Sequence, residues 1–129
     1  MRLTLYRGVP WGGRYAGTTR GLTDAGWYGR GEYWSTQRSV ARHYAHGKDK
    51  HVIASDVELD NPLAMTYDEA NVYAGRFRTK DKTLSSRERH DNAAALSQFF
   101  MSKGYDSLII DDGSQVLLFD PENARKFKK

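Results

Sequence analysis

The sequence predicts an α+β domain, and three observations carry that expectation. Short strand-like runs open and close the chain: LTLYRG at residues 3–8, and SLIID followed by QVLLFD near the end. Between them lie segments of helical period, each with its own start signal. The order of these pieces (strand, loop, strand, helix, strand, helix, helix, hairpin) lacks the regular βαβ alternation of a parallel-sheet protein.

Each element has a local reason. In residues 3–8, Leu3, Leu5 and Arg7 alternate with Thr4 and Tyr6, so the strand presents one face of two leucines and an arginine. Residues 9–31 hold seven of the chain's twelve glycines and read as a loop that folds over something. EYWS, residues 32–35, is a second short strand. TQRSVARHYA reads as a helix capped by Ser35 or Thr36 and closed near Gly47, with Val40, Ala41 and Tyr44 at helical spacing. HVIASDVEL, residues 51–59, alternates as a strand, and Asn61-Pro62 breaks it. Thr66 with Glu69, and Ser85 with Glu88, form capping boxes for two further helices. The first runs to about Gly75, and residues 76–86 read as a loop. The second places Leu96, Phe99 and Phe100 on one face and closes at Gly104. Asp112-Gly113 joins the last two strands as a hairpin turn.

The chain has 129 residues, which suits one domain spanning 1–129. It has no cysteine, so disulfides, zinc–thiolate sites and cysteine nucleophiles are excluded. There is no apolar run of signal-peptide or membrane-spanning length, and the expectation is a soluble protein of the cytoplasm. Net charge is +4, with basic residues gathered at Arg125, Lys126, Lys128 and Lys129. That balance permits an anionic partner, or reads simply as a frayed basic tail. No P-loop, dinucleotide fingerprint or nucleophile elbow is present. His43 and His46 stand three apart on one helix but lack a matching acid, and they read as surface residues rather than metal ligands.

Arg7 is a guanidinium at the end of a strand, followed at once by Gly8. It is suited to grip a phosphate in two places, or to form a surface ion pair. Ser35 and Thr36 end a strand and start a helix, and capping alone accounts for one of them. Tyr33 and Trp34 alternate across that strand, one toward the core and one able to meet a flat ring. Trp11, Tyr15, Trp27 and Tyr28 lie in the glycine-rich region, where they either close over a ligand or pin the loop. Arg14, Arg20 and Arg30 add positive charge there.

Together these segments are more specific than any one of them. LYRG, then GRGEYWSTQRSVARHYA, VELDNPLAM, SKGYDSLIID and QVLLFDPENARKF occur in an order that resembles small single-domain ADP-ribosyltransferase-like families of bacteria and phages. The resemblance runs from Leu5 to about Phe127. It implies two packed antiparallel-rich sheets around an NAD cleft with flanking helices. It implies transfer of ADP-ribose from NAD to a macromolecular target, a protein more than a nucleic acid, to inactivate a host or competitor factor. In that comparison Arg7 holds the NAD phosphates and Gly8 offers backbone groups to the nicotinamide amide. Tyr33, Trp34, Ser35 and Thr36 match the second motif, with an aromatic against nicotinamide and Ser35 orienting an acid.

The third motif calls for a glutamate at the entrance of a late strand, and here Gln115 occupies that place. A glutamine can bond a ribose hydroxyl but brings no negative charge. Three readings stay open: Asp111 or Asp112 serves as the acid, the enzyme runs slowly, or the fold binds without turnover. Glu32, bordering the second motif, is an outside candidate. A catalytically silent binding or inhibitor protein and a basic nucleic-acid-binding module are the competing functions.

Overall fold

The computed structural model describes residues 1–9, 24–43 and 51–124. In chain order the elements are β1 (Arg2–Val9), β2 (Asp24–Gly26), β3 (Gly29–Trp34), α1 (Arg38–His43), β4 (His51–Glu58) and β5 (Pro62–Met65). They continue with α2 (Tyr67–Phe77), α3 (Ser86–Ser102), β6 (Ser107–Ile110), a 3-10 turn (Asp111–Gly113), β7 (Gln115–Leu118) and α4 (Pro121–Ala124). This is a small mixed α+β domain with two sheets and four helices among the described residues.

β1 and β4 form an antiparallel two-stranded sheet with Leu5 opposite Ser55 and Arg7 opposite Ile53. The second sheet has the order β2-β3-β7-β6-β5. Its neighbours are antiparallel except β5 and β6, which run parallel. β7 is central and buried on both sides, which is why Val116-Leu117-Leu118 shows no polar alternation. Val116 and Leu118 meet Leu5, Trp34, Ile53 and Val57 in a core between the sheets. Leu117 faces the other way, into a core with Leu96, Phe100, Leu108 and Ile110 under α2 and α3. The result is three layers: the two-stranded sheet, against which α1 packs, the five-stranded sheet, and the helices α2 and α3.

The predicted parity of β1 holds: Leu5 and Arg7 are buried while Thr4 is exposed. Both capping boxes form, Thr66 accepting from the Glu69 N–H and Ser85 from the Glu88 N–H. These caps contribute about 1 kcal/mol each. α2 runs two residues past Gly75 and stops where Arg78 adopts a left-handed backbone, φ 56°. α3 ends before Gly104 at φ +93°, as the glycine predicted.

Two expectations change. The glycine-rich region is not loop throughout, because β2 and the start of β3 fall inside it. Gly31 lies against the Leu118 carbonyl, where a Cβ has no room, so the glycine permits the strand pairing. Asn61-Pro62 is not a plain break, since Pro62 opens β5. Proline lacks an N–H, and β5 is a sheet edge where that donor is not required. Trp11, Arg14, Tyr15, Arg20, Tyr44, His46, Gly47 and the basic tail lie outside the described residues.

Candidate functional site

Three segments far apart in sequence meet at one end of the five-stranded sheet. The Tyr6 N–H donates to the Ser35 carbonyl at 2.7 Å, and the Ser35 N–H returns to the Tyr6 carbonyl at 2.9 Å. This isolated bridge is the backbone link between β1 and the end of β3. The Gly113 carbonyl then ties the next residues. It accepts from the Thr36 N–H at 2.8 Å, from Thr36 Oγ1 at 2.9 Å and from Ser35 Oγ at 3.4 Å. Ser35 Oγ also accepts from the Gln37 N–H at 2.9 Å, capping the chain into α1. Arg7, Ser35-Thr36 and the turn before Gln115 are thereby neighbours.

Extending the β3–β7 register one step past Trp34 and Val116 sets Ser35 opposite Gln115, and Gln115 is paired with Ile110 on its other side. Tyr6, Ser35, Gln115 and Ile110 form one row across the strands. Gln115 Oε1 is buried and has no hydrogen-bond partner among the described residues. A buried amide oxygen without a partner is costly, and it marks a place that a donor fits.

Arg7 stands one residue beyond the bridge. Strand alternation turns its side chain to the inner face with Leu5, where it is 7% exposed. Glu32, 2% exposed, lies on the inner face of β3, and its Oε1 accepts from Trp34 Nε1 at 2.9 Å. Arg7 and Glu32 are the two buried charged residues among those described. Ser55 belongs to the same layer, diagonal to Arg7 across β1 and β4. Its Oγ is buried with no hydrogen-bond partner among the described residues. The sequence signal for Ser55 is a hydroxyl in the apolar row Ile53, Ser55, Val57.

The alternation has a second effect. Tyr6 gives its N–H and C=O to Ser35, so the N–H and C=O of Gly8 point to the same edge of β1, beyond the bridge. No backbone partner meets them there among the described residues.

The aromatics of the second motif are placed in the body. Trp34 is 3% exposed and part of the inter-sheet core. The Tyr33 hydroxyl donates to the Gly29 carbonyl and accepts from the Tyr28 N–H. The hairpin acids are turned outward. Asp111 Oδ1 accepts from the Tyr67 N–H at 3.0 Å, a carboxylate at the start of α2, and Asp112 is exposed at φ 56°. His43 is exposed, and no group of three or more His, Cys, Asp or Glu is gathered for a metal among the described residues. Likewise, no helix there is long and apolar enough to cross a membrane.

Comparison of this chain with family models, with curated proteins and with solved structures finds no match.

Proposed function

We propose that this chain is an NAD-binding domain of ADP-ribosyltransferase type that transfers ADP-ribose slowly to a macromolecular target, most simply a protein factor of a host or competitor cell. The observation that carries the reading is that the backbone segments bearing Arg7, Ser35-Thr36 and Gln115 meet at one end of the sheet through the Tyr6–Ser35 bridge and the Gly113 carbonyl, with Arg7 leaving on the inter-sheet face and Gln115 on the helix face. These are the three segments the sequence resemblance singles out.

NAD supplies a glycosidic bond whose electrons leave with nicotinamide, so that a nucleophile of the target can take the ribose carbon. The chain's own groups fit the parts of that dinucleotide. Arg7 offers a planar, always-charged fork for its phosphates. The Gly8 edge offers one donor and one acceptor, the complement of a carboxamide. The orphaned Gln115 oxygen accepts from a ribose hydroxyl. Ser35 holds the turn that aims Gln115.

What Gln115 does not supply is charge. Removing a group that stabilises developing charge costs about 3–4 kcal/mol, or ~10²–10³ in rate. Asp111 is committed to the α2 N-terminus and Asp112 faces solvent, which supports a slow enzyme over one with a relocated acid. The same neutral amide favours a second reading, a silent domain that binds NAD or a partner without turnover.

The test is transfer of labelled ADP-ribose from NAD in a bacterial lysate, with nicotinamide release measured alongside. Wild type is expected to label a band slowly, and Gln115→Glu to release nicotinamide at least 100-fold faster. Arg7→Ala, with its fold checked by melting, is expected to lose NAD binding. Retained NAD binding in a folded Arg7→Ala protein refutes the reading. NAD binding with no release in wild type selects the silent domain.

A further inference from the structure

A second surface lies at the opposite end of β3, roughly 20 Å from Ser35 at the rise of an extended strand. Trp27, in the turn between β2 and β3, is 58% exposed. Lys80 Nζ sits over its ring, 4.9 Å from the centroid. Residues 76–89 hold six Lys and Arg (Arg76, Arg78, Lys80, Lys82, Arg87 and Arg89) against Asp81 and Glu88, a net +4 that equals the charge of the whole chain.

This surface is built rather than merely exposed. Thr79, 3% exposed, donates from Oγ1 to the Trp27 carbonyl at 2.6 Å. Lys80 Nζ donates to Asn71 Oδ1 at 2.9 Å. The Arg78 guanidinium reaches Asp81 Oδ2 through Nε at 3.0 Å and Nη2 at 2.8 Å, while Asp81 Oδ1 accepts from the Thr83 N–H and hydroxyl. Asn92 on α3 donates to the Arg78 carbonyl at 3.3 Å, joining the loop to the helix that carries Arg87 and Arg89. Trp27, Lys80 and the Arg78 loop are therefore held in place before any partner arrives, which lowers the ordering cost of binding, while Lys82 and Arg87 reach from that frame as exposed cations.

We infer that this patch is a docking site for single-stranded nucleic acid, with a base stacked on Trp27 and phosphates on Lys80, Lys82 and Arg87. Charge complementarity selects a polyanion. The solvent-facing tryptophan selects one with flat, unstacked bases, because a stacked ring adds affinity that an acidic peptide has no means to use. In a duplex the base faces are hidden, so the ring prefers single strands.

The experiment is fluorescence anisotropy of the full chain with a labelled single-stranded 12-mer, run without NAD at several salt concentrations. An equally long duplex and a polyglutamate peptide serve as competitors. Wild type is expected to bind the single strand in preference to both. Trp27→Ala should weaken binding about 5- to 150-fold. Lys82→Ala with Arg87→Ala should lower the slope of log affinity against log salt by about 1.4, at ~0.7 per phosphate contact. Arg42→Ala, an exposed cation on α1, should leave affinity unchanged. Equal affinity in Trp27→Ala, or polyglutamate displacing the strand at equal charge, overturns the proposal. Since NAD is absent, failure here leaves the NAD reading intact, and failure of that reading leaves this surface intact.

Discussion

Replacing Gly113 with alanine tests whether the turn before β7 sets the geometry of the candidate site. Gly113 is buried at φ +102°, and an added Cβ meets Thr36 Oγ1 at 2.6 Å and Thr36 Cγ2 at 2.8 Å. An L-residue at such a backbone angle costs roughly 1–2 kcal/mol. Pushing Thr36 aside in a packed site costs about 1–3 kcal/mol more. It also stretches the two bonds by which Thr36 reaches the Gly113 carbonyl. The expected loss is about 3–5 kcal/mol, a large part of the ~5–15 kcal/mol that keeps a domain folded. For a chain of this length each kcal/mol moves Tm by about 3–5 °C, so the melt should fall by roughly 10–20 °C. Calorimetry gives the shift, and a double-mutant cycle with Thr36→Ala locates its cause. Clearing the threonine side chain should return about 1–2 kcal/mol. A Gly113→Ala loss under 1 kcal/mol refutes the reasoning, and strict additivity in the cycle moves the cost from the Thr36 contact to the backbone angle.

Two further outcomes follow from contacts elsewhere. Asp81 is held down to about 2, below its ordinary 3.8, by hydrogen bonds from Thr83 and then from Arg78. Because the folded value is the lower one, the stabilisation is complete above about 3.8 and disappears as pH falls through about 2. Asp81→Asn should thus melt lower than wild type at pH 6, with the gap closing between pH 4 and pH 2; a gap independent of pH contradicts this. Ser97 on α3 accepts from the Arg30 N–H at 2.7 Å and donates to the Arg30 carbonyl at 2.8 Å. Ser97→Ala strips both groups of their partner and should cost about 1–3 kcal/mol in urea unfolding, whereas a neutral result means that water replaces the hydroxyl.

Features written in a few adjacent residues were legible without coordinates. The alternation Leu3, Leu5, Arg7 needs only a strand, and each capping box needs four residues. Asp112-Gly113 marked the turn, although Asp111 and Asp112 share its positive φ (47° and 56°) with Gly113. What escaped depends on partners distant in sequence. Gly29 and Gly31 look like loop residues until the side chain of Ser97 and the backbone of Leu118 are seen where their Cβ atoms would be. Pro62 looks like a break until its strand proves to be an edge. Ser35 was readable as a cap, but its bridge to Tyr6 was not. The order of motifs pointed to Arg7, Ser35 and Gln115 as a group, and backbone bonds do draw their segments together. It did not show that Trp34 is in the core, or that Arg7 and Gln115 leave their strands toward opposite faces, because both depend on how two sheets pack.

The pairing of β1 with β4 joins strands separated by roughly forty residues, as does that of β5 with β6, and β3 reaches β7 across roughly eighty, whereas β2–β3 and β6–β7 are each joined by one turn. Closing the long loop carries an entropy cost that near-neighbour contacts do not. The β2–β3 and β6–β7 hairpins are therefore the local events, and both sheets are completed across long loops. The sheet that bears Arg7 closes across such a loop too, and its backbone seam to β3 is the Tyr6–Ser35 bridge. A chain that has formed only those hairpins lacks the seam that brings the Arg7 segment to Ser35, so the candidate site depends on the slowest kind of contact to close.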